Sequence, residues 1–456
     1  MKATQNQKNV RDPHNYFKPG NSVFGAWVKS FSKKIFLMIV SVAFLSAGCG
    51  GGQPVQTGPV VLTFWKTFED SENMQGLIEA YRQAHPNVEI VYSKKNLENY
   101  EKDLLNALAS GQGPDIFSIH NSWLPGYLDK LEPAPASTFN LKQYQDAFVD
   151  AAVQDFTSES KIYGVPLSVD SLALYYNKDL LGTAGLAVPA RTWQDLANHV
   201  KQITRQDSKG YFTRSGAALG LSSNVNRGVD IYYLFMLQLG FKPDSLKNNY
   251  GGSLNQTLQK NGQDLSPARD ALDFYTSFAD PKSANYNWNS RSDYSIDAFV
   301  NGRAAYLFSY AYTRDTIKQK APNLRYDVAP VPQFSLDDTA VNFANYWGEA
   351  VSKQSKNSAA AWDFLKFISG KENLDKYYAQ HKQPSSRKDL IELQIQDPEI
   401  GVFAAANLTA RTLYRPAQEK FDSIIGQMID SVILKGVGFD EAVSRAEQQI
   451  STLFRE

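Results

Sequence analysis

The stretch of sequence that decides the fold is Ile162–Leu181, which reads IYGVPLSVDSLALYYNKDLL. Two sets of apolar and aromatic residues alternate with smaller or turn-forming ones: Tyr163, Val165 and Leu167, followed by Leu172, Leu174 and Tyr176. Alternation with a period of two predicts two short strands. Asp170 and Ser171 lie between these strands, where a polar pair is easier to expose than to bury. The stretch therefore predicts a chain that passes from one domain into another across a polar junction.

The chain before this stretch alternates between strand and helix patterns. Val60–Trp65, Val88–Tyr92 and Gly113–Ile119 predict strands, and the intervening Ser71–His85 and Tyr100–Ala109 have the apolar spacing of helices. Such alternation indicates a parallel sheet with helices on both faces. In sheets of this kind ligands bind beyond the carboxyl ends of the strands. We therefore expect a binding site at the strand ends.

The chain after the stretch continues with elements of both kinds. Thr192–Ile203 predicts a helix with Thr192 as its N-cap, and Asp230–Leu239 predicts a strongly apolar helix. Ala304–Phe308 predicts a strand. These elements would form most of a second domain.

The same segments resemble one protein family. Tyr163-Gly-Val-Pro, followed by Leu174-Tyr-Tyr-Asn-Lys-Asp-Leu180, resembles the crossover segment of extracellular solute-binding proteins of ABC importers, specifically the family that binds sugars and oligosaccharides. Phe299–Ser309, Tyr326–Pro332 and Asn345–Ser352 are similar to later segments of that family. The resemblance covers residues 60–454.

This resemblance implies an α/β fold of the two-lobed periplasmic-binding-protein type (type II). Each lobe is a sheet flanked by helices, and the ligand cleft lies between the lobes. Residues 60–169 and 311–370 would form lobe 1, and residues 170–310 and 371–456 would form lobe 2. Three segments, near residues 170, 310 and 370, would join the lobes and act as the hinge of closure.

Composition indicates a folded body that does not bind nucleic acid. The chain has 456 residues, of which 43% are apolar and 21% charged, enough for two or three domains with real cores. The formal net charge is zero, but residues 1–48 contain seven Lys/Arg and one acid. The remaining 40 basic and 46 acidic residues give a net charge of −6. A mildly acidic body argues against nucleic acid as a partner.

The N-terminal residues predict an exported lipoprotein. Lys33-Lys34 precede Ile35–Gly48, an uncharged run of 14 residues that is short for a membrane span and fits a signal-peptide core. Cys49, the only cysteine, follows it and cannot form an internal disulfide. Leu45-Ser-Ala-Gly-Cys49 resembles a bacterial lipobox, whose cysteine is lipid-modified. We expect a signal peptide at 1–48, a flexible tether at 49–59, and a lipid anchor on the extracytoplasmic face of the cell membrane.

Catalytic signatures are missing from the sequence. It contains no HExxH, CxxC, GxGxxG or GKS/T motif, and its five histidines have no ligand spacing. We therefore expect neither a catalytic site nor a metal or cofactor. A pair of carboxylates for glycoside hydrolysis stays open as an alternative.

The expected cleft segments suit a sugar. Sugars present hydroxyls to carboxylates, amides and arginine, and apolar C–H faces to aromatic rings. The candidate ligand-binding residues are Trp65, Asn121, Ser122, Trp123, Asp170, Tyr310, Tyr312, Asn345, Tyr346, Trp347 and Glu349, with Arg415 in an expected interlobe turn. Tyr306, Trp362 and Phe364 lie inside periodic elements and are expected in the core.

The sequence thus predicts a monomeric substrate-binding lipoprotein that captures a sugar or oligosaccharide and docks on the permease of an ABC importer. Three alternatives stay open. The same fold could bind a ferric ion, a polyamine or a peptide, although only one of Tyr175 and Tyr176 can face a cleft from a strand. An anchored carbohydrate-active enzyme and a structural surface lipoprotein without a small ligand are the others.

Overall fold

The computed structural model describes residues 58–243, 253–260 and 262–454. The expected signal peptide, Cys49 and most of the expected tether lie outside the described residues. Within the described ranges, none of the helices combines the length and the apolarity that crossing a bilayer requires.

The described strands are short and spread along the whole chain. In chain order they are β1 Val60–Lys66, β2 Val88–Lys94, β3 Ile116–His120, β4 Leu131–Glu132, β5 Thr157–Ser158, β6 Lys161–Ile162, β7 Ala173–Asn177, β8 Arg205–Gln206, β9 Phe212–Ala217, β10 Leu258–Lys260, β11 Gln263–Leu265, β12 Ala304–Ser309, β13 Tyr326–Ala329, β14 Asn342–Phe343, β15 Trp347–Ser352 and β16 Ala410–Arg411.

Helices separate most of these strands and dominate the C-terminal part. The α-helices are Ser71–Ala84, Tyr100–Ala109, Leu124–Tyr127, Leu141–Ala147, Asp150–Phe156, Lys178–Thr183, Trp193–Ile203, Gly228–Gln238, Pro267–Thr276, Ser295–Val300, Thr313–Lys320, Ser358–Ile368, Lys371–His381, Lys388–Gln394, Gly401–Asn407, Gln418–Lys435 and Phe439–Leu453, with a 3₁₀ turn at Leu97–Asn99.

The first sheet has the strand order β2-β1-β3-β15-β4. β1 runs parallel to β2 and β3, whereas β15 runs antiparallel to β3 and β4. The carboxyl ends of β1 and β3 therefore lie at one edge of the sheet, and Trp347 at the start of β15 pairs with His120 at the end of β3. This edge is where the sequence predicts a binding site.

The second sheet has the strand order β13-β7-β12-β9-β8. β7 is the second strand predicted within Ile162–Leu181, and it pairs antiparallel with both β12 and β13. The first predicted strand, around Val165, makes only an isolated bridge to Glu349. Pro166 has no N–H group to donate to a ladder, which agrees with this short pairing.

Each large sheet has its own hydrophobic cluster. The first cluster draws on residues 60–169 and 344–391 together with Ala404 and Ala410, and the second draws on residues 172–343 and 403–453. The chain passes between the clusters at 169–172, at 343–344 and between Ile391 and Leu413. Both clusters are continuous cores of buried aliphatic and aromatic side chains.

The second and third of these passages differ from the expected joins near residues 310 and 370. Tyr310 and Ile317 lie in the same cluster, and so do Ile368 and Leu374. The reason is that β12 is followed by a helix and by β13, which returns to pair with β7 and keeps the chain in the second sheet. The division of the chain into two lobes stays a prediction, but the hydrophobic clusters do not change at the expected joins near residues 310 and 370.

The three passages lie side by side. Ser171 forms a bridge with Ala344, and β14 pairs parallel with β16. Buried polar side chains reinforce the arrangement: the Ser171 hydroxyl donates to Asn407 Oδ1 over 2.6 Å, and Asn407 Nδ2 donates to the Val169 carbonyl over 2.7 Å. The chain thus crosses between the two cores through a small hydrogen-bonded ladder.

Candidate functional site

Two neighbouring cavities lie at the carboxyl edge of the first sheet. The first, of about 470 Å³, is lined by residues that include Glu69, Asp170, Asp315 and Glu349, and we call it the carboxylate cavity. The second, of about 560 Å³, is lined by residues that include Tyr100, His120 and Trp123, and we call it the aromatic cavity. Both volumes fall in the range of small-ligand pockets.

The carboxylate cavity takes side chains from both hydrophobic clusters. Tyr346 belongs to the cluster of the first sheet, and Tyr310 belongs to that of the second. The passage at Asp170 lies on its wall. A molecule held here would therefore touch both cores at once.

Most of the sequence-predicted site residues meet in these cavities. The carboxylate cavity is lined by Asp170, Tyr310, Tyr312, Asn345, Tyr346, Trp347 and Glu349. Trp123 lines the aromatic cavity, together with Asn345 and Trp347. Trp65, Asn121, Ser122 and Arg415 line neither of the two.

Trp65 lies on the opposite face of β1 from the cavity. Side chains alternate along a strand, so Lys66 faces the carboxylate cavity and Trp65 faces away from it. The Lys95 ammonium lies over the Trp65 ring instead, with its Nζ 3.7 Å from the ring centroid. Lys66, rather than Trp65, therefore lines the carboxylate cavity.

Asn121 and Ser122 support the site from behind. Both line a separate cavity of about 160 Å³. Asn121 Nδ2 donates to Asp155 over 3.1 Å, and Asp155 also accepts from the hydroxyl of Tyr346 over 2.7 Å. The Ser122 hydroxyl lies 2.8 Å from Nδ1 of His120. These contacts hold cavity-lining residues in place.

Arg415 is buried behind Tyr310 rather than exposed in a cleft. Its Nη1 donates to both carboxylate oxygens of Asp422, over 2.9 and 2.8 Å, and lies 3.9 Å from Asp230. Asp230 in turn accepts from the Tyr310 hydroxyl over 2.9 Å. Arg415 therefore stabilises the network that fixes the Tyr310 ring.

A buried ion pair forms part of the carboxylate cavity. Glu349 accepts from Lys66 through Oε1 and from the Ser118 hydroxyl through Oε2 over 2.7 Å, and Lys66 Nζ lies 3.4 Å from Glu69. Lys66 and Glu349 are only 4% and 1% exposed. Burial alone lowers the pKa of Lys66, but the nearby Glu349 and Glu69 carboxylates more than offset this effect and raise that pKa. The Lys66 ammonium therefore keeps its charge.

Asp170 ties three cavity-lining segments together. Its two carboxylate oxygens accept from the Ala311 N–H over 3.0 Å each, and its carbonyl accepts from the Asn345 N–H over 3.0 Å. Burial raises the pKa of Asp170 to about 7, although the Ala311 hydrogen bond and the charges of Arg314 and Arg227 oppose the rise. Asp170 thus connects neighbouring segments of the site by hydrogen bonds and also lines the cavity.

Two tyrosines and an arginine form a platform on the second-sheet side. The rings of Tyr310 and Tyr312 are stacked, with centroids 6.2 Å apart and planes at 28°. The Arg227 guanidinium lies 5.2 Å from the Tyr310 centroid, and Arg227 Nε donates to the Tyr312 hydroxyl over 3.0 Å. Arg227 has a left-handed backbone with φ of 59°, which is uncommon for a non-glycine residue.

Sequence reasoning missed Lys66 and Arg227. A signal for each is present in the sequence: Lys66 is the last residue of a strand, and Arg227 precedes a strongly apolar helix, where a polar residue marks the N-terminus. Both positions became informative only when the strand faces and the helix start were known.

The basic side chains that line the carboxylate cavity are paired. Each of its Lys and Arg residues lies within 4 Å of a carboxylate: Lys66 of Glu349, Arg227 of Asp230 at 3.7 Å, Arg314 of Glu399 at 3.5 Å and Lys382 of Asp397 at 2.7 Å. Within the described residues, no group of three His, Cys, Asp or Glu is placed to hold a metal ion. Paired cations beside flat rings suit an uncharged polar molecule better than an anion.

A family comparison gives the class of the protein. A model of the bacterial extracellular solute-binding proteins matches residues 65–374, which is more than half of the chain. The chain belongs to this family, whose members are binding proteins that act outside the cytoplasm.

Individual relatives are similar over most of their length. The maltodextrin-binding protein of Bacillus subtilis (strain 168) is 24% identical over 315 residues, which are 66% of this chain and 69% of that protein. The galactooligosaccharide-binding protein of the same strain is 22% identical over 371 residues, 78% of this chain and 80% of that protein. The multiple sugar-binding protein of Streptococcus mutans is 21% identical over 373 residues, 80% and 84% of the two chains.

Solved structures share the fold. The sugar-binding protein MalE from Xanthomonas citri superposes with a TM-score of 0.72 at 20% identity, over 87% of this chain and 98% of that one. A cyclo/maltodextrin-binding protein complexed with maltotetraose gives a TM-score of 0.69 at 16% identity, with the same coverage. This likeness confirms the predicted fold class, a two-lobed α/β fold of the periplasmic-binding-protein type.

Proposed function

We propose that the protein is the substrate-binding component of an ABC importer and that it captures an uncharged sugar or oligosaccharide. The observation that carries this proposal is the carboxylate cavity, where stacked tyrosines from one core face hydrogen-bonding groups from the other. Flat rings suit the C–H faces of a sugar, and the Asn345 amide and the Glu349 carboxylate suit its hydroxyls. The relatives named for maltodextrin, galactooligosaccharide and multiple sugars support the same ligand class.

The mechanism we infer is closure of two lobes around the ligand. One lobe surrounds the first hydrophobic cluster and the other surrounds the second, and the three passages act as the hinge. A sugar that touches Tyr346 on one side and Tyr310 on the other favours the closed form, because only contacts to both lobes distinguish closed from open. The closed protein then docks on a membrane permease, and it supplies recognition without chemistry.

The anchoring that we propose follows from the N-terminal sequence. Residues 1–48 are removed as a signal peptide, Cys49 carries lipid, and residues 49–59 act as a tether to a monomeric body. A lipid on Cys49 would keep the protein beside its permease on the extracytoplasmic face of the membrane. Mass spectrometry of the membrane fraction tests this part: a diacylated N-terminal peptide that begins at Cys49 supports it, and a free Cys49 thiol contradicts it.

A thermal-shift screen tests the proposed function. The probes are maltose-, galactose- and mannose-type oligosaccharides, with ferric citrate, spermidine and a dipeptide mixture as controls. A ligand that binds only the native state raises the melting temperature with the logarithm of its concentration above Kd. We expect a saturable rise with one sugar series. A rise with iron, spermidine or dipeptides alone would overturn the sugar proposal, and release of shorter sugars during incubation would favour the enzyme alternative.

A further inference from the structure

The carboxylate and aromatic cavities meet along a shared boundary. Four residues line both of them, namely Phe68, Arg227, Asn345 and Trp347. Three of the four come from the side of the first sheet, and Arg227 comes from the other side, where it holds Tyr312. The two cavities are therefore neighbouring halves of one cleft.

Trp347 is the largest side chain of this boundary, and its ring is held by several others. Its centroid lies 5.0 Å from Trp123, 5.4 Å from His120, 5.8 Å from Tyr100 and 5.7 Å from Phe68, all in edge-to-face geometry. Edge-to-face pairs of this kind are favourable beyond the apolar area that they bury. The Trp347 ring is thus a fixed feature of the cleft rather than a side chain free to swing aside.

The strand geometry places Trp347 at the point of division. Trp347 begins β15, and Glu349 lies two residues further along on the same face of the strand. Glu349 lines only the carboxylate cavity, whereas Trp347 lines both cavities. Trp123, which contacts the Trp347 ring, lines only the aromatic cavity. Trp347 therefore stands between the two halves of the cleft.

We propose that Trp347 determines which lengths of saccharide the protein prefers. A short saccharide fits within one half of the cleft, and a longer one occupies both halves by laying one sugar unit across the Trp347 ring. The ring is already ordered by its neighbours, so stacking on it costs little conformational entropy. This inference rests on the proposed function, since it assigns a role within the same sugar site.

Calorimetric titration of four proteins tests the inference. They are the wild type, Trp347→Ala, Trp347→Phe and Trp65→Ala, each titrated with the maltose-, galactose- and mannose-type series from the monosaccharide to the heptasaccharide. Trp65→Ala is the matched control, because Trp65 also lies near a strand end and lines neither cavity. Comparison of lengths within one variant separates length preference from any general loss of stability.

We expect wild-type affinity to rise in a step once the saccharide is long enough to occupy both halves. In Trp347→Ala this step shrinks by about tenfold or more, whereas the short saccharides weaken by less than about threefold. Trp347→Phe restores part of the step, and Trp65→Ala keeps the wild-type profile. If Trp347→Ala weakens all lengths equally or none, the inference is wrong and the sugar site stands. If the wild type binds no saccharide, the proposed function fails and the inference fails with it.

Discussion

The Nε2 atom of His120 lies 2.9 Å from the Oδ1 atom of Asn345, at the boundary between the two cavities. The Ser122 N–H donates to His120 Nδ1 over 3.2 Å, so Nδ1 is an acceptor and the ring proton lies on Nε2. His120 therefore donates to the Asn345 carbonyl oxygen and leaves the Asn345 NH₂ group as the donor available to a ligand. Burial lowers the pKa of His120 to about 3, and the positive charge of Arg415 adds to this effect, so the ring stays neutral at physiological pH.

Removal of this contact should weaken ligand binding. In His120→Leu the Asn345 amide loses the partner that sets its direction, and a net loss of about 1 kcal/mol corresponds to about fivefold in Kd. Calorimetric titration with the saccharide selected by the thermal screen measures the change. His199→Leu is the control, because His199 bonds to Tyr306 and lines neither cavity. Unchanged affinity in His120→Leu would show that the direction of the amide does not matter for binding.

Asp170 should make stability depend on pH. Its pKa rises from 3.8 to about 7 in the folded protein, so between these values the folded state binds more protons than the unfolded state. The contribution of Asp170 to the free energy of unfolding is therefore present below the unfolded pKa and is lost as the pH rises towards about 7. Asp170→Asn cannot titrate. We therefore expect the melting temperature of Asp170→Asn minus that of wild type to increase as the pH rises from 3.8 to about 7, and to stay constant at higher pH.

Melting curves of both proteins across this pH window check the prediction. The nearby charges that act on Asp170 are those of Arg314 and Arg227, and the comparison with Asp170→Asn isolates the contribution of the Asp170 carboxyl group. A difference in melting temperature that is the same at every pH would contradict the prediction. Asp315→Asn is a control from the same cavity, since the Asp315 side chain is not hydrogen-bonded to Asp170 or to its partner Ala311.

Removing one member of the Lys66–Glu349 pair should lower the free energy of unfolding strongly, whereas replacing both members by apolar residues should lower it less. Glu349→Gln leaves a buried ammonium with a weaker partner, and loss of one member of a buried pair typically destabilises by about 3–5 kcal/mol. The double variant Lys66→Met with Glu349→Leu removes both charges and should lose less than the sum of its single variants. Urea unfolding measures these free energies.

An exposed pair provides the comparison for this experiment. Lys178 and Asp327 lie 3.5 Å apart with side chains 46% and 49% exposed. Lys178→Met should change the free energy of unfolding by less than about 1 kcal/mol. Equal losses at the two pairs would mean that burial does not determine the strength of the Lys66–Glu349 interaction.

Local elements of the fold were predictable because their signals are local. The alternation around Leu174 predicted β7, and Thr192 caps the helix Trp193–Ile203 through a reciprocal capping box with Asp195. The passages between the cores were less predictable, because β13 pairs with β7 about 150 residues earlier in the chain. The sequence of β13 does not indicate which strand it pairs with.

The site shows the same limit at the scale of one residue. Trp65 and Lys66 are neighbours at the end of β1, and a shift of one position in a strand moves a side chain to the other face. The sequence indicated the strand end but not which neighbour faces the cavity. Arg415 is likewise a residue type that suits sugar binding, yet its guanidinium is buried against Asp422. Only the packing of the chain brings these two side chains together.

The passages between the two cores give the last prediction. Asn407 is 1% exposed, accepts from Ser171, and donates to the carbonyls of Val169 and Ser385 over 2.7 and 3.0 Å. Asn407→Ala leaves these three buried groups without this partner, which should cost about 3 kcal/mol or more, since each unsatisfied buried group costs roughly 1–3 kcal/mol.

Ser171→Ala is the matched variant for this position, because it removes only one of these bonds and should cost about 1 kcal/mol. Urea unfolding gives both values. Because Asn407 joins segments of different passages, its loss should also loosen the ladder locally, and hydrogen exchange at the Leu172 and Ala344 amides, which donate to Phe343 and Arg411, should accelerate more than exchange at β3. Uniform acceleration across the molecule would mean that Asn407 contributes to global stability alone and does not hold the passages together.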